Sequence, residues 1–259
     1  VVSLARNVGY LPRSKKAAKA TVNFFCDISS VSPAPPTVVL KKGAVVGTSK
    51  QFNGQSFVFG ITEDKSVSVV DGIAQFDEVE VYEGTMIEQD FIYSSRNKFQ
   101  KFILSNDGID LETLKVSVKP SPLSSVSLTY ARQDDLFDSN SGTTITGDSP
   151  IYFIQEVEDE QYEIIFGDGI FGKALQDGNQ ILVSYIKTKG ESGNGISNFS
   201  FSGKLVYTRN NSTVNVTSGI SLVTANESSS GGQAIESTES IKKYAPQVYA
   251  TQNRALTAN

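Results

Sequence analysis

Short runs of alternating apolar and polar residues repeat along most of the chain, and many are closed by a glycine, an Asp-Gly pair or a proline. Such runs occupy residues 21–28, 38–40, 56–59, 66–70, 73–82, 87–94, 99–104 and 114–118, then 151–157, 162–166, 180–188, 199–207, 213–216 and 220–223. Period-two alternation places one face of a strand in a core and the other in water. Residues 73–82 carry the pattern well, with Phe76, Val79 and Val81 set against Asp77, Glu78 and Glu80. Many short strands with regular turn signals predict a mainly β protein, α+β overall, made of two sandwich-like or barrel-like units. Helical spacing is confined to the ends. Leu4, Val8 and Leu11 share one face of a short helix that Gly9 stops. Residues 237–244 begin a second helix, capped by Ser or Thr, with Ile241 and Tyr244 on one side and Pro246 ending it.

Punctuation divides the chain further. Residues 29–37 (SSVSPAPPT) form a proline-rich connector, and residues 119–125 (KPSPLSS) read as a boundary between two β units. Residues 131–150 are polar and acidic, a long surface loop, and residues 227–233 (ESSSGGQ) have the composition of a flexible hinge. The expected organisation is a helical segment over 1–20 and a first β domain over 21–122. A second β domain spans 123–226, and a hinge with a helical tail spans 227–259. The sequence begins without Met, its last residues read as an interrupted pattern, and a central piece of a longer protein is expected.

Composition narrows the chemistry. The 259 residues include no histidine, no tryptophan and a single cysteine. The absence of histidine removes Ser-His-Asp and Cys-His catalysis, and one cysteine excludes a Cys-based zinc site and an internal disulfide. Cys26 lies in an apolar run and reads as a buried thiol. The net charge is −5, from 23 basic and 28 acidic residues, so direct nucleic-acid binding is not expected. The basic cluster Arg13, Lys15, Lys16 and Lys19 either docks an acidic partner or forms a solvated helix face. No apolar stretch approaches the roughly 18–20 residues of a membrane span, so membrane insertion is not expected either.

Candidate ligand motifs dissolve on inspection. Asp107, Asp110 and Glu112 lack the ligand spacing of a calcium loop, and a turn into the next strand explains them. The glycines at 167–169 and 190–195 neither open a helix nor precede a Gly-Lys-Ser/Thr, so they read as turns rather than a phosphate cradle. Asn198, Asn210, Asn211, Asn215 and Asn226 begin Asn-x-Ser/Thr triplets, which matter only in a secreted eukaryotic protein. A carboxylate pair for glycoside hydrolysis stays open, because spatial separations are invisible in a sequence. No residue is assigned a catalytic, cofactor-binding or metal role, and an enzyme is not expected.

The most distinctive stretch is FGDGIFGKALQDGNQILVSYIKTKGESGNG, residues 166–195, where the strand runs 162–166 and 180–188 flank a loop with Asp168-Gly169 and Asp177-Gly178 and a glycine-rich exit follows. It resembles the baseplate J-like and baseplate wedge proteins of contractile-tailed bacteriophages, the T-even type of wedge protein above all. Three further segments resemble the family in its order: SLARNVGYLPRSKKAAKA near the start, NDGIDLETLKVSV in the middle, and IESTESIKKYAPQVYATQNRALTAN at the end. In the last, Arg254-Ala255-Leu256-Thr257 has Leu256 where valine is commoner. The resemblance implies a structural virion protein of the tail baseplate, met in the host cytoplasm during assembly. Such a protein forms a homodimer, contacts other wedge subunits, and joins wedges into a ring around the hub. The ring rearranges in the switch that precedes sheath contraction and genome ejection. Closing a ring needs two different surfaces; the helical ends and the 131–150 loop are the expected contacts. The alternative is a receptor-binding or glycan-binding β module of a phage or surface protein.

Overall fold

A computed structural model of the protein describes residues 10–133, 145–157 and 161–254, with side chains as far as residue 247. The fold is mainly β, with two sheets and a short helix near the C-terminus. The sheets belong to two units that are nested along the chain. One unit takes Lys15–Ile87 and Ile186–Ala234; the other takes the described residues of Val1–Ser14, Glu88–Tyr185 and Ile235–Asn259.

The first unit carries a ten-stranded sheet made of β1 (Lys19–Asp27), β2 (Thr37–Leu40), β3 (Gly43–Thr48), β4 (Val58–Ile61), β5 (Lys65–Val70) and β6 (Ile73–Glu83), with β14 (Phe199–Phe201), β15 (Leu205–Arg209), β16 (Ser212–Asn215) and β17 (Thr224–Ala225). Strand β6 branches the sheet. Its whole length pairs antiparallel with β1, while Ile73 and Ala74 pair with β5 and Tyr82 and Glu83 pair with β4. One wing continues from β4 through β3 to β14, and the other from β5 through β2 and β15 to β16. The chain passes between the wings at residues 41–42 and again at 202–204, and a bond extends each wing's pairing there: Lys41 N–H donates to Lys204 O and Ser202 N–H to Val45 O, both at 2.9 Å. Between them lies one core. Phe24 stacks on Phe76 with ring centroids 4.9 Å apart, and Phe59 meets Phe199 edge-on at 5.2 Å.

Strand β6 also resolves an irregularity in its own pattern. Ala74 and Phe76 are buried at even positions, Val79 and Val81 at odd ones. A strict alternation would send one pair to solvent. The register with β1 shifts at this point: Phe24 faces Phe76 but Val22 faces Val79, so Asp77 and Glu78 together oppose Asn23. This is a β-bulge. Glu78 adopts φ +49°, and its N–H is taken by Asn23 Oδ1 at 2.8 Å. The extra residue turns both apolar pairs into the same core.

The second unit holds a seven-stranded sheet in the order β7 (Thr85–Ile92), β13 (Gln180–Lys187), β9 (Ile109–Lys119), β10 (Leu128–Arg132), β11 (Ile151–Glu156), β12 (Tyr162–Phe166) and β8 (Phe102–Leu104). Only β10 and β11 are parallel among the pairs whose register is described. The sheet curls until its edge strands touch: Phe91 of β7 meets Phe102 of β8 at 5.5 Å, and Gln89 Nε2 donates to Ile103 O at 3.4 Å. Phe166 links Phe102 to Tyr130 of β10 inside the curl. Helix α1 (Thr238–Arg254) belongs to this unit, with Ile241 and Ala245 packed against Tyr10.

Several expectations change. Residues 119–125 do not divide two domains; they join β9 to β10, whose Leu128 pairs with Val118, so the Pro/Ser chemistry there makes a hairpin connection. The division into 21–122 and 123–226 therefore gives way to an insertion of β7–β13 between β6 and β14. The hinge at 227–233 is hydrogen-bonded in place, with Ser230 and Gln233 bridging Lys19 and Lys16 through backbone pairs of 2.8–3.1 Å. Those same bonds hold residues 14–18 extended, so the basic cluster is not a helix face. The helix expected over 1–9 lies outside the described residues, as do 134–144 of the surface loop. Pro246 does not end α1. Its ring removes one N–H and sits at an exposed position, and the helix continues past it.

The bulge makes a test of this architecture. Glycine in a strand normally costs stability, yet Glu78→Gly should leave the protein equally stable or more stable by about 0.5–1 kcal/mol, because Gly meets φ +49° without a Cβ penalty. Urea unfolding of the variant measures this; a loss above about 1 kcal/mol would contradict the bulge.

Candidate functional site: turns and a buried carboxylate latch

The distinctive stretch over 166–195 contributes to both units, and each unit uses its part as a brace. In the seven-stranded unit, Asp168 Oδ1 accepts the N–H groups of Ile170 and Phe171, each at 2.9 Å. Those two bonds, Phe171 first, hold the exposed carboxyl below its usual range. Gly167 crosses Gly172 so closely that a Cβ would stand 2.2 Å from the Gly172 carbonyl carbon. The loop thus closes backbone on backbone and presents Ile170 (70% exposed) and Phe171 (49%) at its tip. Asp177 accepts the N–H of Ser95 at 2.7 Å and its hydroxyl at 3.0 Å. Asn179 accepts from Gln176 N–H at 2.8 Å within its own turn and donates to Pro120 O at 3.2 Å, so that Asp177 and Asn179 together tie three loops.

In the ten-stranded unit the exit TKGESGNG wraps a buried carboxylate. Glu83, 2% exposed at the end of β6, accepts the Thr188 hydroxyl at 2.5 Å and the Lys189 N–H at 3.0 Å on the same oxygen. Gly190 N–H donates to Thr188 Oγ1 at 2.9 Å, and Gly190 itself has φ +69° with a Cβ position 2.7 Å from Gln233 O. No other residue fits there without strain. Ser229, 2% exposed, completes the latch: its hydroxyl donates to Gly193 O at 2.6 Å and accepts Ile196 N–H at 2.9 Å. Asn194 exchanges two bonds with Gly232, at 2.9 and 2.8 Å. The Lys189 ammonium is directed elsewhere, over the Phe57 ring at 4.7 Å and onto Gln55. Desolvation therefore raises the Glu83 carboxyl pKa above its ordinary value, against the opposing pull of the Thr188 and Lys189 hydrogen bonds.

A second carboxylate anchors α1. Glu236 accepts the Tyr10 hydroxyl at 2.8 and 2.9 Å on its two oxygens, Arg13 N–H at 3.0 Å and Ser240 Oγ at 2.6 Å. Burial alone would raise its pKa; the bonds from Ser240, Arg13 and Tyr10 outweigh it and lower the group. Tyr10 is pushed up to about 12 by burial and by the facing carboxylate. Neither Glu83 nor Glu236 stands out in the sequence, since each is one acid among many. The buried thiol of Cys26 is where the apolar run places it, and burial raises its pKa.

Among the described residues no three Cys, Asp or Glu side chains group as metal ligands, and no helix is long and apolar enough to cross a membrane. Asp110, expected in a turn, is 1% exposed within β9. Neither a family model nor a curated protein matches the chain.

The two carboxylates predict opposite pH responses. Glu83 has a raised folded pKa, so its contribution is complete below the unfolded value and falls as pH rises through the folded one. Glu83→Gln should abolish that decline, whereas Glu83→Ala should cost about 1–3 kcal/mol by orphaning Thr188 and Lys189 N–H. Glu236 has a lowered folded pKa, so its contribution is present above the unfolded value and is lost on acidification. Glu236→Gln should shrink the acid-side loss. Urea unfolding across pH 3–8, roughly the span of carboxylate titration, checks both signs.

Proposed function

We propose that the chain is a non-enzymatic structural subunit of a contractile-tail baseplate, acting through interfaces with copies of itself and with other wedge subunits. The observation that carries the reading is how the distinctive stretch is used. Its Asp168, Asp177, Asn179, Thr188, Gly190 and Asn194 all hold backbone turns, the Thr188 hydroxyl being committed to the buried Glu83 carboxylate as well. A stretch used this way marks a scaffold. The resemblance to baseplate wedge proteins supplies the kind of assembly that such a scaffold would serve.

The surface of the seven-stranded unit offers material for contact. Leu123 is 97% exposed, Val126 70% and Leu128 43%. Val126 and Leu128 border a cleft of about 180 Å³ that also meets Tyr130, Lys173 and Ala174. Exposed apolar side chains gathered at a cleft favour protein contact. Tyr244 of α1, 44% exposed, is consistent with a further contact at the helical end. Ring joining calls for two such faces.

Light scattering of the purified chain, with pull-down against other baseplate wedge subunits, tests the reading. Self-association or wedge binding is expected, and Leu123→Asp with Leu128→Asp should weaken it by about tenfold or more at unchanged circular dichroism. A strict monomer at high concentration that binds no wedge subunit would overturn the proposal. Glycan capture by a chain that stays monomeric and binds no wedge subunit would favour the binding-module alternative instead.

A further inference from the structure

A groove in the ten-stranded unit lies beside the latch, between the turn after β3 and the segment leading into β14. It encloses about 410 Å³, with residues 48–52 on one side and 195–198 on the other. A backbone bond from Ser49 N–H to Asn198 O, 3.2 Å, closes its base. Phe52 supplies the apolar floor, half-buried and braced edge-on by Phe57 at 6.4 Å, with the core residue Ile196 beneath the groove. Gly195, lacking a side chain, leaves the Phe52 ring edge open to the groove, since a Cβ there would touch Phe52 Cζ at 3.4 Å.

The rim differs from the rest of the unit. Lys50, Gln51, Ser197 and Asn198 are exposed, and among the described residues their side chains make no hydrogen bond. Elsewhere in this unit Asn23, Thr188, Asn194 and Ser229 are engaged in fixing backbone. The groove therefore joins a small aromatic floor to a ring of uncommitted amide, hydroxyl and ammonium groups. Its lining holds one cation and no acid, in a chain of net charge −5. A second ammonium, Lys189 Nζ, is held in the adjoining turn by Gln55.

We propose that this groove is a binding site for an acidic saccharide. A sugar ring has the matching division of surfaces: a C–H face for Phe52, and hydroxyls for Gln51, Ser197 and Asn198. A carboxylate on the sugar pairs with Lys50. Concave sites with an apolar floor and few polar groups are the usual form of small-ligand sites, and a charge-assisted bond at the rim sets the preference for an anion. This inference is independent of the baseplate reading, because it concerns a loop-lined groove that takes no part in the apolar cleft of the other unit.

The test is an NMR titration of the isotopically labelled chain with trigalacturonate, and with neutral maltotriose as comparison, at constant ionic strength. Saturable shifts confined to residues 48–52 and 195–198 are expected, with trigalacturonate bound more tightly than maltotriose. Lys50→Ala should weaken trigalacturonate by about tenfold, and Asn198→Ala by about fivefold, roughly the worth of one charged and one neutral hydrogen bond. Both side chains are exposed, so the variants should keep the parent spectrum elsewhere. Absence of saturable shifts, shifts centred elsewhere, equal binding of the two sugars, or indifference to both substitutions would each overturn the proposal.

Discussion

Strand β6 forms hydrogen bonds on both edges at once, and the ten-stranded unit depends on how it does so. One edge runs the length of β1; the other is divided between β5 at its start and β4 at its end. A flat strand could not serve two diverging neighbours on one edge. The bulge at Asp77 and Glu78 supplies the twist and the change of parity together, so that Phe76 and Val81 both reach the core between the wings. The local cost is one non-glycine residue at positive φ. It is offset by the Asn23 bond and by keeping four β6 side chains buried.

Polar burial follows from the same geometry. At its far end β6 carries Glu83 into the interior, where a carboxylate without partners would be severely penalised. Thr188 and Lys189 N–H supply partners, and the segment that brings them must then turn sharply enough to stay within reach. Gly190 makes that turn, and Ser229 fills the backbone vacancies that the turn opens. A Ser/Gly-rich segment that would be flexible alone becomes fixed because its hydroxyl and amide groups complete a network already begun by the carboxylate.

The strands and turns were largely legible in the sequence, since alternation and Asp-Gly pairs are local signals. Asp168 as a turn residue and Cys26 as a buried thiol needed nothing beyond their immediate neighbours. The nesting of one unit within the other was not legible. It depends on contacts such as Ser200 with Gly47, 153 residues apart, and no local pattern reports a pairing at that distance. Composition also misled at two places: Pro and Ser at 119–125 and Ser and Gly at 227–233 signal irregular backbone, which a hairpin connection and a bonded strap require as much as a linker does. Glu83, Glu236 and the 195–198 wall were hidden for another reason. Their significance comes from what tertiary packing places beside them.

Glycine content in the distinctive stretch therefore says more about close backbone approach than about freedom of movement. Gly167 and Gly190 stand where another backbone occupies the space a Cβ needs. Such positions constrain sequence tightly while offering no side chain to a partner or ligand. Recognition has to come from residues free of that duty, and the structure separates the two sets. Ile170, Phe171 and Leu123 project from loops of one unit and Leu128 from its strand β10, and Lys50 and Asn198 project from a groove of the other. A rigid frame holding exposed, uncommitted side chains limits the ordering cost of binding, which is the physical advantage of fixing so many turns.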